Sequence, residues 1–308
     1  MTQQSGDRAQ YILRMHGKSF YWASLFLGRN IALNAARLYR FCRTVDDLVD
    51  MTPHSVNTLT ILNKWQSDLT ARKSSDPGLR DILNLTDEIG LDTLPLKLLI
   101  DGVISDLYVV KIKDESALIN YCYLVAGTVG VMMSTLLDAK DSRAKAFAID
   151  LGIAMQLTNI LRDVAEDTSA DRQYIPCEWL PINCRLTPAN YENIKPALKR
   201  LFDLSQKYYA SGYAGLNFLP KRCHLSISIA ARLYQEIGLL AKKSDFQVWK
   251  KRIFVSSWRK CWLISGCLLR FALLCLQSKS LPVHNSVLHN KLNSFIGEIN
   301  EANESSTI

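Results

Sequence analysis

The chain has 308 residues, enough for one large domain or two small ones, and its 48% hydrophobic and 21% charged residues are an ordinary globular balance. Net charge is +8 and the sequence pI about 9.0, yet no run of five or more Lys/Arg occurs. That argues against a nucleic-acid-binding tail and leaves anionic lipid or a phosphorylated small molecule as fitting partners for a basic surface. Cysteines at 42, 122, 177, 184, 223, 261, 267 and 275 form no CxxC pair, and several lie in apolar runs. They read as small buried hydrophobes in a reducing compartment, not as a disulfide frame or a zinc site.

The N-terminal stretch MTQQSGDRAQ is polar and shows no apolar core, so no signal peptide is expected and a cytoplasmic location is. From 19 to 50 the spacing of Ile31, Ala35, Leu38, Cys42, Val45 and Val49 predicts helix, and a further helix runs from about 58 to 69. SSDPG at 74–78 reads as a turn. Residues 94–110 read as helix with Pro95 in the first turn, where its missing N–H costs nothing. The almost uncharged run 117–137 should lie in the centre of the fold, and 144–166 is helical again. Pro176, Pro181 and Pro188 mark a loop region, after which helices are expected over about 190–212, 224–240 and 250–276. The expectation is one all-α domain over 1–278, followed by a polar, partly disordered tail over 279–308.

Two acidic patches stand out. In RTVDDLVD (43–50), Asp46 and Asp50 are one helical turn apart, with Arg43 able to meet Asp46 or Asp47. In NILRDVAED (159–167), Asn159, Asp163 and Asp167 recur every four residues, and Gln156 extends the stripe upstream. Each acidic stripe lies on an otherwise apolar helix. Like charges one turn apart repel, so such a stripe gains nothing unless a cation arrives. Carboxylate oxygens suit Mg²⁺, with Mn²⁺ the alternative, and Mg²⁺ commonly bridges carboxylates to substrate phosphates. Two facing stripes would clamp a diphosphate at the mouth of an apolar pocket. The five histidines show no HxxxH or HxxE spacing, and no phosphate-loop, dinucleotide or nucleophile-elbow motif occurs.

Three stretches resemble the head-to-head prenyl synthases, the squalene, dehydrosqualene and phytoene synthases. They are KSFYWAS (18–24) leading into LYRFCRTVDDLVD (38–50), YCYLVAGTVGVMM (121–133), and GIAMQLTNILRDVAEDTSADRQYIP (152–176). Their wording is most like the bacterial phytoene synthases. Ala165 departs from the glycine common in that signature, and the C-terminal third matches only through YQEI (234–237) and KRIFV (251–255).

The resemblance implies an all-α prenyl synthase fold with a central cavity between two aspartate-rich helices. It implies Mg²⁺-dependent condensation of two geranylgeranyl diphosphates through a cyclopropyl diphosphate to phytoene. The same chemistry on farnesyl diphosphate, giving dehydrosqualene or squalene, is the alternative, and a non-catalytic assembly factor of the same fold the more distant one. It assigns the metal to Asp46, Asp50, Asn159, Asp163 and Asp167. It places Lys18, Ser19, Arg43 and Arg252 on diphosphate oxygens, and Tyr39, Tyr123 and Tyr234 beside the reacting carbons or the departing diphosphate, with Arg43 also catalytic. Phe20, Val125, Ala126, Gly127, Gln156 and Leu157 line the cavity. Arg162, Arg172 and Tyr174 complete the substrate-binding set.

The segment CWLISGCLLRFALLCL (261–276) carries one charge, Arg270, and is too short to span a bilayer. It reads first as a buried final helix and next as an interfacial helix on anionic lipid, which would place the enzyme peripherally on the inner membrane face.

Overall fold

The computed structural model describes residues 3–52, 55–274, 276 and 281–292. Among them are twelve α-helices and short 3₁₀ turns, and the only β pairing is an isolated parallel bridge between Lys111 and Gln173.

The polar N-terminus hides a helix, α1 (Gln3–His16), whose Ala9 and Leu13 are buried one turn apart against Ala36. The continuous helix expected from 19 is two pieces, α2 (Lys18–Ser24) and α3 (Arg29–Asp50). Gly28 breaks them, with an extended backbone at ψ 153°. α4 (Val56–Thr70) follows, its N-terminus capped by Ser55. SSDPG proves to be the entry to a further helix, α5 (Pro77–Ile89). Asp76 caps it by accepting from the Leu79 N–H at 2.8 Å, and Pro77 occupies the first turn. α5 is fixed to α3 through Arg37, which is 1% exposed and pairs with Asp81 and Glu88.

α6 (Leu94–Ile104) stops earlier than expected. The chain beyond it runs beside 173, with Gln173 N–H donating to Val110 O at 2.9 Å and Ile112 N–H to Gln173 O at 3.0 Å. That pairing brings Asp106 next to the 172–174 segment. α7 (Glu115–Cys122) and α8 (Thr128–Leu136) form one helical run through a π-turn at Tyr123–Gly127. By length and hydropathy this run could cross a membrane, but here it is a core element with Cys122, Tyr123 and Met132 fully buried.

α9 (Ala144–Ser169) is the axis of the molecule, packed against α8, α10 (Tyr191–Gly215) and α11 (Lys221–Lys243). Glycine permits this. A Cβ on Gly130 would sit 2.1 Å from Ala148 O, and one on Gly152 would sit 2.2 Å from Ala126 O, so the α8 and α9 backbones touch.

The last expected helix starts late, as α12 (Ser257–Leu274), leaving 251–255 non-helical. It is not the buried helix of the first reading. Only Leu263 and Ile264 are buried, whereas Trp258, Trp262, Leu269 and Leu273 are exposed. Within the stretch assigned to the polar tail, 281–292 docks on the body. Leu292 is fully buried, and Tyr208 Oη–H donates to Leu288 O at 2.9 Å. The rest of that tail, 279–280 and 293–308, lies outside the described residues.

Candidate active site

Helical periodicity builds the cavity. On α3 the wall is Ala35, Leu38, Tyr39, Cys42, Arg43 and Asp46, all on one face. On α9 the same rule selects Ala144, Phe147, Ala148, Leu151, Gly152, Met155, Gln156, Asn159 and Arg162. Each face therefore runs from an apolar interior to a polar mouth, and Asp163 and Asp167 continue the α9 stripe beyond the wall. The void is about 520 Å³. Phe20 from α2, Val125 and Ala126 from the π-turn, Tyr234 from α11 and Arg252 close the remaining sides.

The two acidic stripes meet across the mouth. Arg172 Nη1 lies 2.9 Å from Asp50 Oδ1, tying the end of α9 to the end of α3. Arg162 grips Asp163 through Nε at 2.8 Å and Nη2 at 2.5 Å, and Arg252 reaches Asp163 at 3.1 Å and Glu166 at 3.1 Å. Arg43 pairs with Asp47 at 2.5 Å, not with Asp46. Among the described residues Asp46 and Asp167 make no ion pair. Asp46 keeps exposed surface at the open mouth of the cavity it lines, although its carboxylate is closely surrounded by protein. Burial and then the nearby Asp50 charge push its pKa up to about 7. Burial and then Asp163 do the same for Asp167, also to about 7. Two polar atoms aimed at the same region, Asn159 Oδ1 and Arg43 Nε, are buried with no hydrogen-bond partner.

A third acid joins them that sequence reasoning missed. Asp106 accepts from Tyr121 Oη at 2.9 Å and Tyr174 Oη at 2.8 Å. Burial pushes it up to about 6 despite those two bonds, and its charge is felt by both Asp46 and Asp167. Its signal was faint: one carboxylate just past an apolar helix, with no acidic neighbour one turn away. Tyr174 and Arg172 thus hold the rim of the mouth and do not line the cavity.

Deeper in, Phe20 packs in tilted contact between Tyr234 at 5.0 Å and Tyr39 at 6.1 Å, an aromatic wall facing the void. Burial raises the pKa of both tyrosines, which keeps them neutral.

Other expected positions fall elsewhere. Leu157 is fully buried in the core, because it lies about 100° around α9 from Gln156. Tyr123 is likewise fully buried, since the π-turn changes the helical register there and brings Val125 and Ala126 to the wall instead. Gly127 sits behind that wall, where a Cβ would meet Tyr123 at 2.8 Å. Lys18 is exposed and Ser19 half-exposed at the start of α2, and neither lines the cavity; Lys18 lies near Lys260. His16, Cys42 and Met155 line it without having been expected.

Solved structures share this arrangement of helices. A dehydrosqualene synthase in complex with ligand superposes with a TM-score of 0.80 at 26% identity, over 88% of this chain and 98% of that one. A squalene synthase from Alicyclobacillus acidocaldarius gives 0.70 at 19% identity, over 79% and 95%, a likeness of fold. Fold and cavity together define a prenyl-transferring enzyme of the isoprenoid synthase type. The squalene/phytoene synthase profile matches residues 13–259, and the chain belongs to that family. Its relatives include a phytoene synthase of Pseudescherichia vulneris, 32% identical over 82% of this chain and 88% of that one. A 15-cis-phytoene synthase of Paracoccus sp. is also 32% identical, over 80% and 85%.

Proposed function

We propose that the protein is a phytoene synthase, joining two geranylgeranyl diphosphates head to head into phytoene with release of two diphosphates. The observation that carries this is the pairing of an acidic, arginine-flanked mouth with an apolar, aromatic-walled cavity on one continuous α9 face. The substrate choice rests on the phytoene synthases among the relatives. It is also supported by the small wall residues Ala144 and Ala148, which leave depth for long chains.

The donor set fits a hard divalent ion. It is all oxygen, it includes carboxylates whose pKa burial and then neighbouring acid charge push up to about 7, and Asn159 Oδ1 is an orphaned acceptor beside them. Asp46, Asp50, Asn159, Asp163 and Asp167 would hold it, with Mg²⁺ the natural choice. Bound there, the metal supplies positive charge against the diphosphate oxygens.

The chain's own groups account for the rest. Arg43, Arg162 and Arg252 present cationic N–H groups to the departing diphosphate, where negative charge grows in the transition state. Loss of diphosphate from the first donor leaves an allyl cation. The double bond of the second donor attacks it, and a proton leaves to close the cyclopropane. The second diphosphate then departs, and rearrangement and loss of another proton give the hydrocarbon. The apolar wall keeps water from capturing either cation, and the Phe20, Tyr39 and Tyr234 rings offer their negative faces to it.

The assay is incubation with labelled C15 and C20 diphosphates and Mg²⁺, with and without NADPH. Phytoene from the C20 donor, with no need for NADPH, is expected. A product formed only from the C15 donor would transfer the enzyme to the dehydrosqualene or squalene reaction, which the 26%-identical dehydrosqualene synthase structure favours as the second reading.

Metal and proton compete for the same carboxylates, which fixes a pH dependence. Asp46 and Asp167 have folded-state pKa values of about 7, above the ordinary 3.8. The folded, metal-free protein therefore holds protons that the unfolded chain has released. That stabilisation is complete below about pH 4 and is lost as pH rises through about 7. The Mg²⁺-induced rise in Tm should accordingly be larger near pH 8 than near pH 5.5, as thermal scans would show. An equal Mg²⁺ effect at both pH values would count against these ligands.

We also place the enzyme in the cytoplasm, against the inner membrane face. The outward stripe of α12 carries Trp258, Trp262, Leu269 and Leu273, with Lys250, Lys251 and Arg270 exposed nearby. Aromatic and aliphatic residues fringed by cations suit an anionic bilayer surface. The double variant Trp258→Ser/Trp262→Ser should bind anionic vesicles about tenfold more weakly in co-sedimentation, with its helical fold unchanged.

A further inference from the structure

On the core side of α9 lies one buried carboxylate outside the acidic mouth. Asp150 is fully buried and faces away from the cavity stripe, about 13 Å along the helix from Asn159. His284 Nε2 lies 2.8 Å from its Oδ2, and His289 Nε2 lies 2.8 Å from its Oδ1. Ser211 Oγ donates to Oδ2 at 2.5 Å. The carboxylate oxygen and the two imidazole nitrogens fall within 4.8 Å of one another. The two imidazoles come from the docked 281–292 segment, 134 and 139 residues away in the chain.

We propose that Asp150, His284 and His289 form a binding site for a divalent ion of the zinc type, which fastens residues 281–292 to the body of the enzyme. The donor set decides the class of metal. Two imidazole nitrogens and one carboxylate, with the Ser211 hydroxyl or a water as the fourth donor, suit Zn²⁺ and its neighbours, whereas the all-oxygen mouth suits Mg²⁺.

Charge argues the same way. Among the described residues, Asp150 is paired with no Lys or Arg, only with the two histidines. A fully buried carboxylate is costly unless positive charge compensates it. A dication removes that cost.

The segment needs such an anchor. Its only regular structure is the 3₁₀ turn Ser286–His289. Its other ties include the Tyr208–Leu288 hydrogen bond, an exposed Lys291–Glu115 pair, and Leu288 and Leu292 packed on the core. An ion closing so long a loop converts its binding free energy into docking. The site also backs onto the cavity, because Phe147, which lines it, meets the His284 ring edge-on at 5.0 Å.

The test uses the full chain without a polyhistidine tag, stripped with chelator and titrated with Zn²⁺ alone. The wild type should take up one ion per chain with a Kd below about 1 µM and gain in Tm. His284→Gln/His289→Gln should lose both effects while keeping its circular dichroism. Asp46→Asn/Asp163→Asn should keep them, and excess Mg²⁺ should not compete. Co²⁺ at the site should give the visible absorption of a four-coordinate ion. The proposal is overturned if the wild type binds no Zn²⁺ in this range. It is equally overturned if binding survives in the double histidine variant, or if Mg²⁺ displaces the ion. Stabilisation by protons alone, without metal uptake, would make the cluster a hydrogen-bonded clasp and also overturn it. None of these readouts depends on which prenyl diphosphate the enzyme uses.

Discussion

Replacing Asp163 by Asn should lower turnover by about 1,000-fold and leave the helical fold in place. Asp163 is only 16% exposed in its side chain and sits at the junction of the α9 stripe with three arginine contacts, Nε and Nη2 of Arg162 and Nη2 of Arg252. The amide keeps the volume but removes the negative charge, so it both deletes a metal ligand and releases two arginines that must meet diphosphate in a set geometry. Asp46→Asn should behave alike from the opposite ridge, because it is the α3 carboxylate that lines the cavity with no ion pair of its own. Steady-state kinetics with the preferred diphosphate, beside circular dichroism of each variant, make the measurement. Wild-type turnover by either variant would remove the metal clamp from the mechanism. A partial return of activity at high Mg²⁺ in Asp46→Asn would locate the loss in metal affinity.

The second large effect is on folding. Gly152→Ala should cost about 3 kcal/mol or more, read by urea denaturation. The added methyl would stand 2.2 Å from Ala126 O and 2.7 Å from its carbonyl carbon, atoms of a backbone that cannot rotate away. The π-turn before α8 must then move off α9, and Ala126 is part of the cavity wall, so substrate affinity should fall with stability. The contrast is Ala165→Gly, which replaces the departing residue of the signature by the family's glycine. It should cost only about 1 kcal/mol, the ordinary helix penalty. Equal costs at the two sites would mean that the close approach of the π-turn and α9 is not tight.

Much of the site was legible because helical periodicity is local. Asp46, Asp50, Asn159, Asp163 and Asp167 fall at i, i+4 positions, and that spacing alone puts each set on one face. Tyr39, Arg43, Gln156 and Arg162 share those faces, and the structure finds all four on the wall. Leu157 and Tyr123 show where position along a motif is not orientation. The first is turned by one residue's rotation into the core, and the second by a π-turn that no short pattern announced. Asp106 was invisible for a related reason. Its partners Tyr121 and Tyr174 are 15 and 68 residues away, and the bridge between Lys111 and Gln173 is what assembles them.

The histidines carry the same lesson further. His284 and His289 lack the spacing of a helical metal motif, and their common partner Asp150 lies 134 and 139 residues away. Composition and periodicity pointed to the all-α class and the two acidic faces, which neighbours within a turn decide, and the resemblance of three contiguous motifs pointed to the family. The meeting of those faces across one cavity, the rim held by Arg172 and Asp106, the outward turn of α12 and the cluster at Asp150 were decided only by tertiary packing. They join groups that sequence separates by tens of residues, and such contacts depend on how whole helices cross and not on what any one helix contains.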